Sequence, residues 1–110
     1  MENKNKMPIL KSHNLNLQTK KLMQKVLKAI NKNLNNPDLN AEMIAAEVGI
    51  SRVHLYRKLK ELTNQSTRDF IRNIRLKQAE ILLKSEKNYN MSEIAQLVGF
   101  NNTTYFSNAF

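Results

Sequence analysis

Apolar residues recur at intervals of three and four along most of the chain, which is the spacing of one face of an α-helix. The first stripe predicts a helix over about 19–34, with its apolar positions at Leu22, Met23, Val26, Leu27, Ile30 and Leu34. The Asn-Asn-Pro run that follows ends this helix. Residues 1–18 are rich in Asn and Lys and show no sustained period, so they predict a flexible N-terminal segment or linker.

Polar capping residues divide the rest of the chain into shorter helices. The caps are Asn40, Ser51, Ser66 with Asp69, and Asn90 with Glu93. They predict helices over about 41–48, 52–62, 67–84 and 91–98, and a sixth helix begins near 102 and continues to 110. Because the chain has only two Gly and two Pro, and no strand-like alternation of β-branched residues, the predicted fold class is all-α.

One segment of the chain is repeated 50 residues later. The matched pairs are Asn40 and Asn90, Ile44 and Ile94, Ala45 and Ala95, Val48 and Val98, and Gly49 and Gly99. Each copy predicts a short helix, a bend at the glycine and a second helix, which together form a helix-turn-helix unit. We therefore predict two such subdomains, over 19–65 and 88–110, joined by a long linker helix within 66–87.

The chain is strongly basic, and its charge is unevenly distributed. The formal net charge of +9 favours a polyanionic partner, with nucleic acid ahead of an anionic membrane surface. All five arginines lie between 52 and 77, and Glu93 is the only charged residue from 88 to 110. The central third of the chain is therefore expected to supply most of the attraction for nucleic acid.

Several other classes of protein are excluded. The absence of Cys rules out disulfide scaffolds, thiol catalysis and Cys-ligated zinc. No apolar run reaches the roughly 18 residues of a membrane span and no secretory signal is visible, so a cytoplasmic location without a membrane partner is expected. His13 and His54 have no partner at a ligand or catalytic spacing, so no metal, cofactor or enzymatic activity is expected.

Two stretches of the sequence resemble a known family. They are IAAEVGISRVHLYRKLKELTNQSTRDFIRNIRLKQAEILL and SEIAQLVGFNNTTYFSNAF. Over about 22–110 the chain resembles the DNA-binding domain of AraC/XylS-type transcription regulators, in the version found at the C-terminus of Bacteroides-type hybrid two-component regulators. The resemblance implies that the second helix of each unit enters one of two adjacent major grooves on one side of the DNA. The family continues past the position of Phe110, so a chain truncated at its C-terminus, with an incomplete second unit, is expected.

The third predicted helix carries the first candidate DNA contacts, on the face opposite its leucine stripe. The resemblance places base contacts at Val53, Tyr56 and Arg57, and Arg52, Lys58 and Lys60 are expected to contact phosphates. The chemistry agrees, because Arg57 can donate two hydrogen bonds to guanine and Val53 can contact a thymine methyl. The alternative is that these residues form only a solvated helix face.

The remaining candidates lie on the linker helix and the sixth helix. On the sixth helix they are Thr103, Thr104, Ser107 and Asn108. This set is uncharged, so it is expected to add specificity rather than affinity, with Asn108 suited to adenine. On the linker helix Arg68 and Arg72 are expected to contact phosphates. Arg75 has two interpretations, a phosphate contact or a structural anchor that caps neighbouring helix ends, and the second is favoured.

The sequence as a whole predicts sequence-specific binding of double-stranded DNA by the output domain of a transcription regulator. One rival interpretation is a helical protein-interaction module that does not itself bind DNA. A basic membrane-surface protein is another, although the first helix lacks the aromatic anchors such proteins use. The expected partners are DNA and an upstream sensor or receiver domain, with RNA polymerase as a further candidate, and the isolated chain is expected to be a monomer.

Overall fold

The structure, a computed structural model, describes residues 16–100. Within that range it contains five α-helices and no strand, which confirms the all-α prediction there. The helices are α1 (Leu17–Lys32), α2 (Ala41–Val48), α3 (Arg52–Thr63), α4 (Thr67–Leu83) and α5 (Met91–Leu97). Most of the predicted N-terminal linker and the predicted sixth helix lie outside the described residues.

The ends of α1 differ from the prediction, and side-chain hydrogen bonds explain why. The helix begins two residues early because the side chain of Asn16 accepts a hydrogen bond of 2.8 Å from the N–H of Thr19. The predicted division of the chain at residue 18 stays a prediction, because the start of a helix does not by itself mark the end of a linker. The helix ends at Lys32, where Asn33 turns its side-chain amide back onto the carbonyl of Ala29 at 2.8 Å. Leu34 still reaches the core, although it lies beyond the helix.

The predicted caps of the other four helices are present. The side chains of Asn40, Ser51 and Ser66 each accept a hydrogen bond from the backbone N–H three residues on, at 3.0–3.1 Å. Asn90 and Glu93 form a complete capping box, in which each side chain accepts from the backbone N–H of the other. These local bonds explain why α2, α3, α4 and α5 begin where the sequence predicts.

The helices bury one continuous hydrophobic core. Its largest fully buried side chains are Phe70, Met23, Ile30, Ile44, Leu55, Leu59, Leu62, Ile94, Val26 and Val98. They include the inward stripe of α1 and the leucine stripe of α3, as the periodicity predicts. Residues from α1 to α5 therefore contribute to the same core.

The long helix α4 buries different faces at its two ends. Thr67, Phe70 and Ile71 are buried near its beginning, whereas Arg75 and Ala79 are buried further along. At 3.6 residues per turn the two buried sets are separated by roughly 100° around the helix axis. The helix packs against both α3 and α5. It therefore connects the helices before it to α5, and the division of the chain into two units and a linker stays a prediction.

The two turn glycines have the same backbone conformation but different surroundings. Gly49 has φ of 90° and Gly99 has φ of 87°, in the left-handed region that favours glycine. In each turn the next residue donates to an alanine carbonyl, Ile50 to Ala45 at 3.0 Å and Phe100 to Ala95 at 2.8 Å. A Cβ placed on Gly49 would meet open space, whereas one on Gly99 would overlap the backbone oxygen of Leu34 and the guanidinium of Arg75.

Neither a membrane span nor a metal cluster occurs in the part of the chain that the structure describes. None of the helices between residues 16 and 100 is both long and apolar enough to cross a bilayer. In the same range, no three His, Cys, Asp or Glu side chains are grouped so that they could hold a metal ion.

Candidate nucleic-acid interface

The outward face of α3 presents the residues predicted to contact bases. Leu55, Leu59 and Leu62 are buried, so the opposite side of the helix faces solvent. Val53 is 53% exposed and Tyr56 is 45% exposed, and Arg57 and Lys60 are exposed as well. Val53, Arg57 and Lys60 follow one another at spacings of four and three, so they lie along one line of the helix surface. The face is basic and carries two apolar groups, a combination that is suited to base reading in a major groove.

The two flanks of this face carry different residues. Positions one residue apart on a helix are separated by about 100°, so Tyr56 and Lys58 lie on opposite sides of Arg57. Arg52 lies on the Tyr56 side. Lys58 is only partly exposed, and its ammonium lies 3.6 Å from a carboxylate oxygen of Glu61. The phosphate contacts expected of Arg52 and Lys58 therefore fall on opposite flanks of the face, and they stay predictions.

On the Tyr56 flank, α3 and α4 enclose a cleft of about 300 Å³, called the N-terminal cleft below. It is lined by Ala41, Arg52, Val53, Tyr56, Ser66, Thr67 and Arg68. The structure thus brings together two predicted base contacts, Val53 and Tyr56, and two predicted phosphate contacts, Arg52 and Arg68. Sequence reasoning named Ser66 only as a cap and Thr67 only as the start of a helix.

The second cleft, of about 480 Å³, lies where α4 meets the loop after α1 and the turn after α5. Its lining is Pro37, Leu39, Asn40, Ala41, Arg68, Ile71, Arg72, Arg75, Gly99 and Phe100. Arg68 lines both clefts and is exposed, and Arg72 is half-buried. The three arginines of α4 therefore share one side of the molecule but differ in exposure.

Arg75 is a structural residue. Only 7% of it is exposed, and its guanidinium donates to the carbonyl of Gly99 at 3.0 Å and to that of Asn36 at 2.8 Å. These carbonyls belong to the turn after α5 and the loop after α1, so the side chain links both segments to α4. Desolvation by burial lowers the pKa of Arg75 from its usual value. The favoured interpretation, an anchor at neighbouring helix ends, is confirmed.

The candidates on the sixth helix lie outside the described residues. They are Thr103, Thr104, Ser107 and Asn108. The described chain reaches Phe100, which is half-buried against the core. The DNA contacts assigned to these four residues stay predictions.

The comparisons with known proteins identify the class of protein that this fold and basic face define. The model of a family described as "Helix-turn-helix domain" matches residues 44–110, which is more than half of the chain. The chain belongs to the AraC-type helix-turn-helix family, the DNA-binding domains of transcriptional regulators. Domains of this family bind DNA and are not typically enzymatic.

The curated relatives are much longer proteins. The chain is 38% identical over 89 residues to histidine kinase P4 of Formosa agariphila, covering 81% of this chain but 6% of that protein. It is 38% identical over 74 residues to an HTH-type transcriptional regulator in the cgkA 5′ region of Pseudoalteromonas carrageenovora, covering 66% of this chain and 42% of the relative. The chain therefore spans less than half the length of either relative.

Solved structures share the fold. The C-terminal domain of AraT, a response regulator from Geobacillus stearothermophilus, matches with a TM-score of 0.70 and 30% identity, over 81% of this chain and 73% of that one. A regulator with an AraC-type DNA-binding domain from Chromobacterium violaceum matches with a TM-score of 0.74 and 24% identity, over 84% and 81% of the two chains. The second likeness shows the fold alone.

Proposed function

We propose that this domain binds double-stranded DNA sequence-specifically, with α3 in one major groove and the sixth helix in the next. DNA binding is the function of the family; the arrangement of contacts is our inference. The observation that carries it is the outward face of α3, where Val53, Tyr56 and Arg57 stand exposed opposite a fully buried leucine stripe. A face of this kind offers both bidentate hydrogen bonding and apolar contact to base edges.

The proposed roles follow the chemistry of each side chain. Arg57 reads guanine, Val53 contacts a thymine methyl, and Tyr56 contacts a base or a phosphate at the edge of the face. Phosphates are held by Arg52, Lys58, Lys60, Arg68 and Arg72. The sixth helix adds base contacts from Thr103, Thr104, Ser107 and Asn108.

The Arg57→Ala substitution is expected to weaken binding to the preferred sequence by about 1–3 kcal/mol, or roughly 5- to 150-fold. The preferred sequence is first selected from a random pool of duplexes. Competition binding then compares that operator with random DNA. Preference at one base position should relax, because a bidentate contact is lost. Lys60→Ala is the matched control and is expected to weaken both DNAs about equally. Equal weakening of both DNAs by Arg57→Ala would refute the base-reading role.

The affinity is expected to fall steeply with salt. Each neutralised phosphate contributes a slope of about −0.9 to a plot of log K against log salt concentration. Five phosphate contacts therefore predict a slope of about −4 to −5 for α3 and α4 together. Gel-shift titrations from low to moderate salt measure it. Absence of duplex binding at low salt would instead favour a protein-interaction module.

We further infer that the domain is the output end of a longer cytoplasmic regulator. The solved domain of AraT is the C-terminal part of a response regulator, and one relative is named a histidine kinase. These likenesses support an upstream receiver or sensor domain as a partner, and RNA polymerase is a second candidate partner. The domain alone is proposed to be a monomer.

A further inference from the structure

The first turns of three helices meet at the N-terminal cleft. Ala41 is the first residue of α2, Arg52 the first of α3 and Thr67 the first of α4, and all three line the cleft. Backbone N–H groups in the first turn of a helix have no acceptor within it and carry the positive end of the helix dipole. Arg52 and Arg68 add full positive charges. None of the lining residues is acidic, so the cleft favours an anion.

Thr67 provides an independent sign of a ligand. It lines the cleft and is only 4% exposed, yet its hydroxyl oxygen is buried without a hydrogen-bond partner among the residues described. Buried hydroxyl groups in folded proteins are nearly always paired, so an unpaired one calls for an explanation. The neighbouring Ser66 is different, since its hydroxyl oxygen accepts from the N–H of Asp69 at 3.1 Å. The hydroxyl oxygen is itself buried, so the Thr67 side chain would have to turn toward the cleft to donate to an acceptor oxygen bound there. Such an acceptor would give the hydroxyl its partner.

We propose that the N-terminal cleft binds one phosphate of the DNA backbone. The donors are the Thr67 hydroxyl, the N–H groups at the beginning of α4 and the guanidinium groups of Arg52 and Arg68. The inference rests on the proposed function and deepens it, because it assigns these donors to one shared phosphate. We assign a DNA phosphate rather than a free one because Val53 and Tyr56, which line the same cleft, belong to the face of α3 that we propose enters the major groove. The bound phosphate then lies on the strand along the Tyr56 flank of α3.

The Thr67→Val substitution tests the site, because it removes the hydroxyl and keeps the shape. Its unfolding midpoint is expected to match or exceed that of the wild type, since the hydroxyl has no partner to lose. Its affinity is expected to fall about tenfold for the operator and for random duplexes alike, because a phosphate contact carries no sequence information. Thermal unfolding and fluorescence anisotropy measure the two quantities.

Thr63→Val is the matched control. Thr63 is equally buried, but its hydroxyl donates to the carbonyl of Leu59 at 2.7 Å and accepts from the N–H of Gln65 at 3.2 Å. This variant is expected to show the opposite pattern, with a lower unfolding midpoint and an affinity within about twofold of the wild type where it is folded. Thr67→Val is expected to lose affinity but not stability, and Thr63→Val to lose stability but not affinity. This contrast distinguishes a ligand site from a general packing defect.

Neutral methylphosphonate links, introduced one at a time into the operator, locate the phosphate. One methylphosphonate on the strand along the Tyr56 flank is expected to weaken the binding of the wild-type domain about tenfold. The same methylphosphonate should have little effect on the binding of Thr67→Val or Arg68→Gln, because these variants have already lost the contact. Exchanging chloride for inorganic phosphate at constant ionic strength should change the affinity less than twofold. A much larger drop would assign the cleft to free phosphate and overturn the proposal.

The failures are distinguishable. Wild-type affinity in Thr67→Val, or equal methylphosphonate effects in wild type and variants, would refute the phosphate site. The proposed function would still stand if Arg57→Ala lost operator preference. A wild-type domain that bound no duplex at all would refute both.

Discussion

Gly99→Ala should lower the free energy of unfolding by about 4 kcal/mol or more, whereas Gly49→Ala should lower it by only about 1–2 kcal/mol. Both glycines have positive φ, so both variants carry the strain of a left-handed alanine. At Gly99 the new Cβ would also overlap the backbone oxygen of Leu34 and lie 2.9 Å from the central carbon of the Arg75 guanidinium. The loop after α1 would have to move to relieve that overlap.

Urea unfolding followed by helical circular dichroism measures both losses. Gly49→Ala is the matched control, because it makes the same chemical change in the same turn of the repeat where the space is open. Both variants carry the same backbone strain, so the difference between their losses of unfolding free energy measures the steric overlap of the new Cβ with Leu34 and Arg75. Equal losses of unfolding free energy in Gly99→Ala and Gly49→Ala would contradict this prediction. They would show that Leu34 and Arg75 move aside at little cost, so that their close contact with Gly99 does not require a glycine there.

Arg75→Met should destabilise the domain by about 2–3 kcal/mol. Methionine keeps an apolar stem but leaves the buried carbonyl of Gly99 and the part-buried carbonyl of Asn36 without their donor. Loss of a buried charge offsets part of this, because desolvation already disfavours the guanidinium. Arg75→Lys should recover only part of the stability, since one ammonium cannot reproduce the two-pronged geometry.

The measurement is again denaturant unfolding, with Arg68→Met as the control on the same helix. Arg68 is exposed, so its substitution should change stability by no more than about 0.5 kcal/mol. The double variant Arg75→Met with Gly99→Ala should lose less than the two single losses together, because the residues are in contact. Full additivity, or a loss in Arg68→Met as large as that in Arg75→Met, would contradict the anchoring role.

Local signals in the sequence predicted the helices well. The bounds of α2 and the start of α3 follow directly from Asn40, Gly49 and Ser51, because a cap and a left-handed glycine act within one turn of their own position. The exposed face of α3 was predictable for the same reason, since the leucine stripe fixes which side is buried. The ends of α1 were not, because Asn16 and Asn33 act through side-chain bonds that apolar periodicity does not detect.

Contacts distant in sequence could not be located from the pattern. Arg75 and Asn36 are 39 positions apart, and their hydrogen bond requires the relative placement of α1 and α4. The repeat could not predict the difference between Gly49 and Gly99, because the two turns have similar sequences but are packed against different residues. The N-terminal cleft was hidden likewise, since it joins residues 41, 52 and 67 from three helices.

The buried stripe rotates along α4, so the number of residues in that helix determines how its two buried faces are oriented relative to each other. Inserting one residue between Ile71 and Arg75 would turn everything beyond it by about 100° and advance it by about 1.5 Å. Arg75 would then leave its two carbonyls, and a whole extra turn would restore the angle while displacing the second unit by about 5 Å. Length variation among related chains should therefore accumulate in the connecting loops and spare this span. Under the proposed function, the same span would set the distance between the two base sequences that one molecule can read.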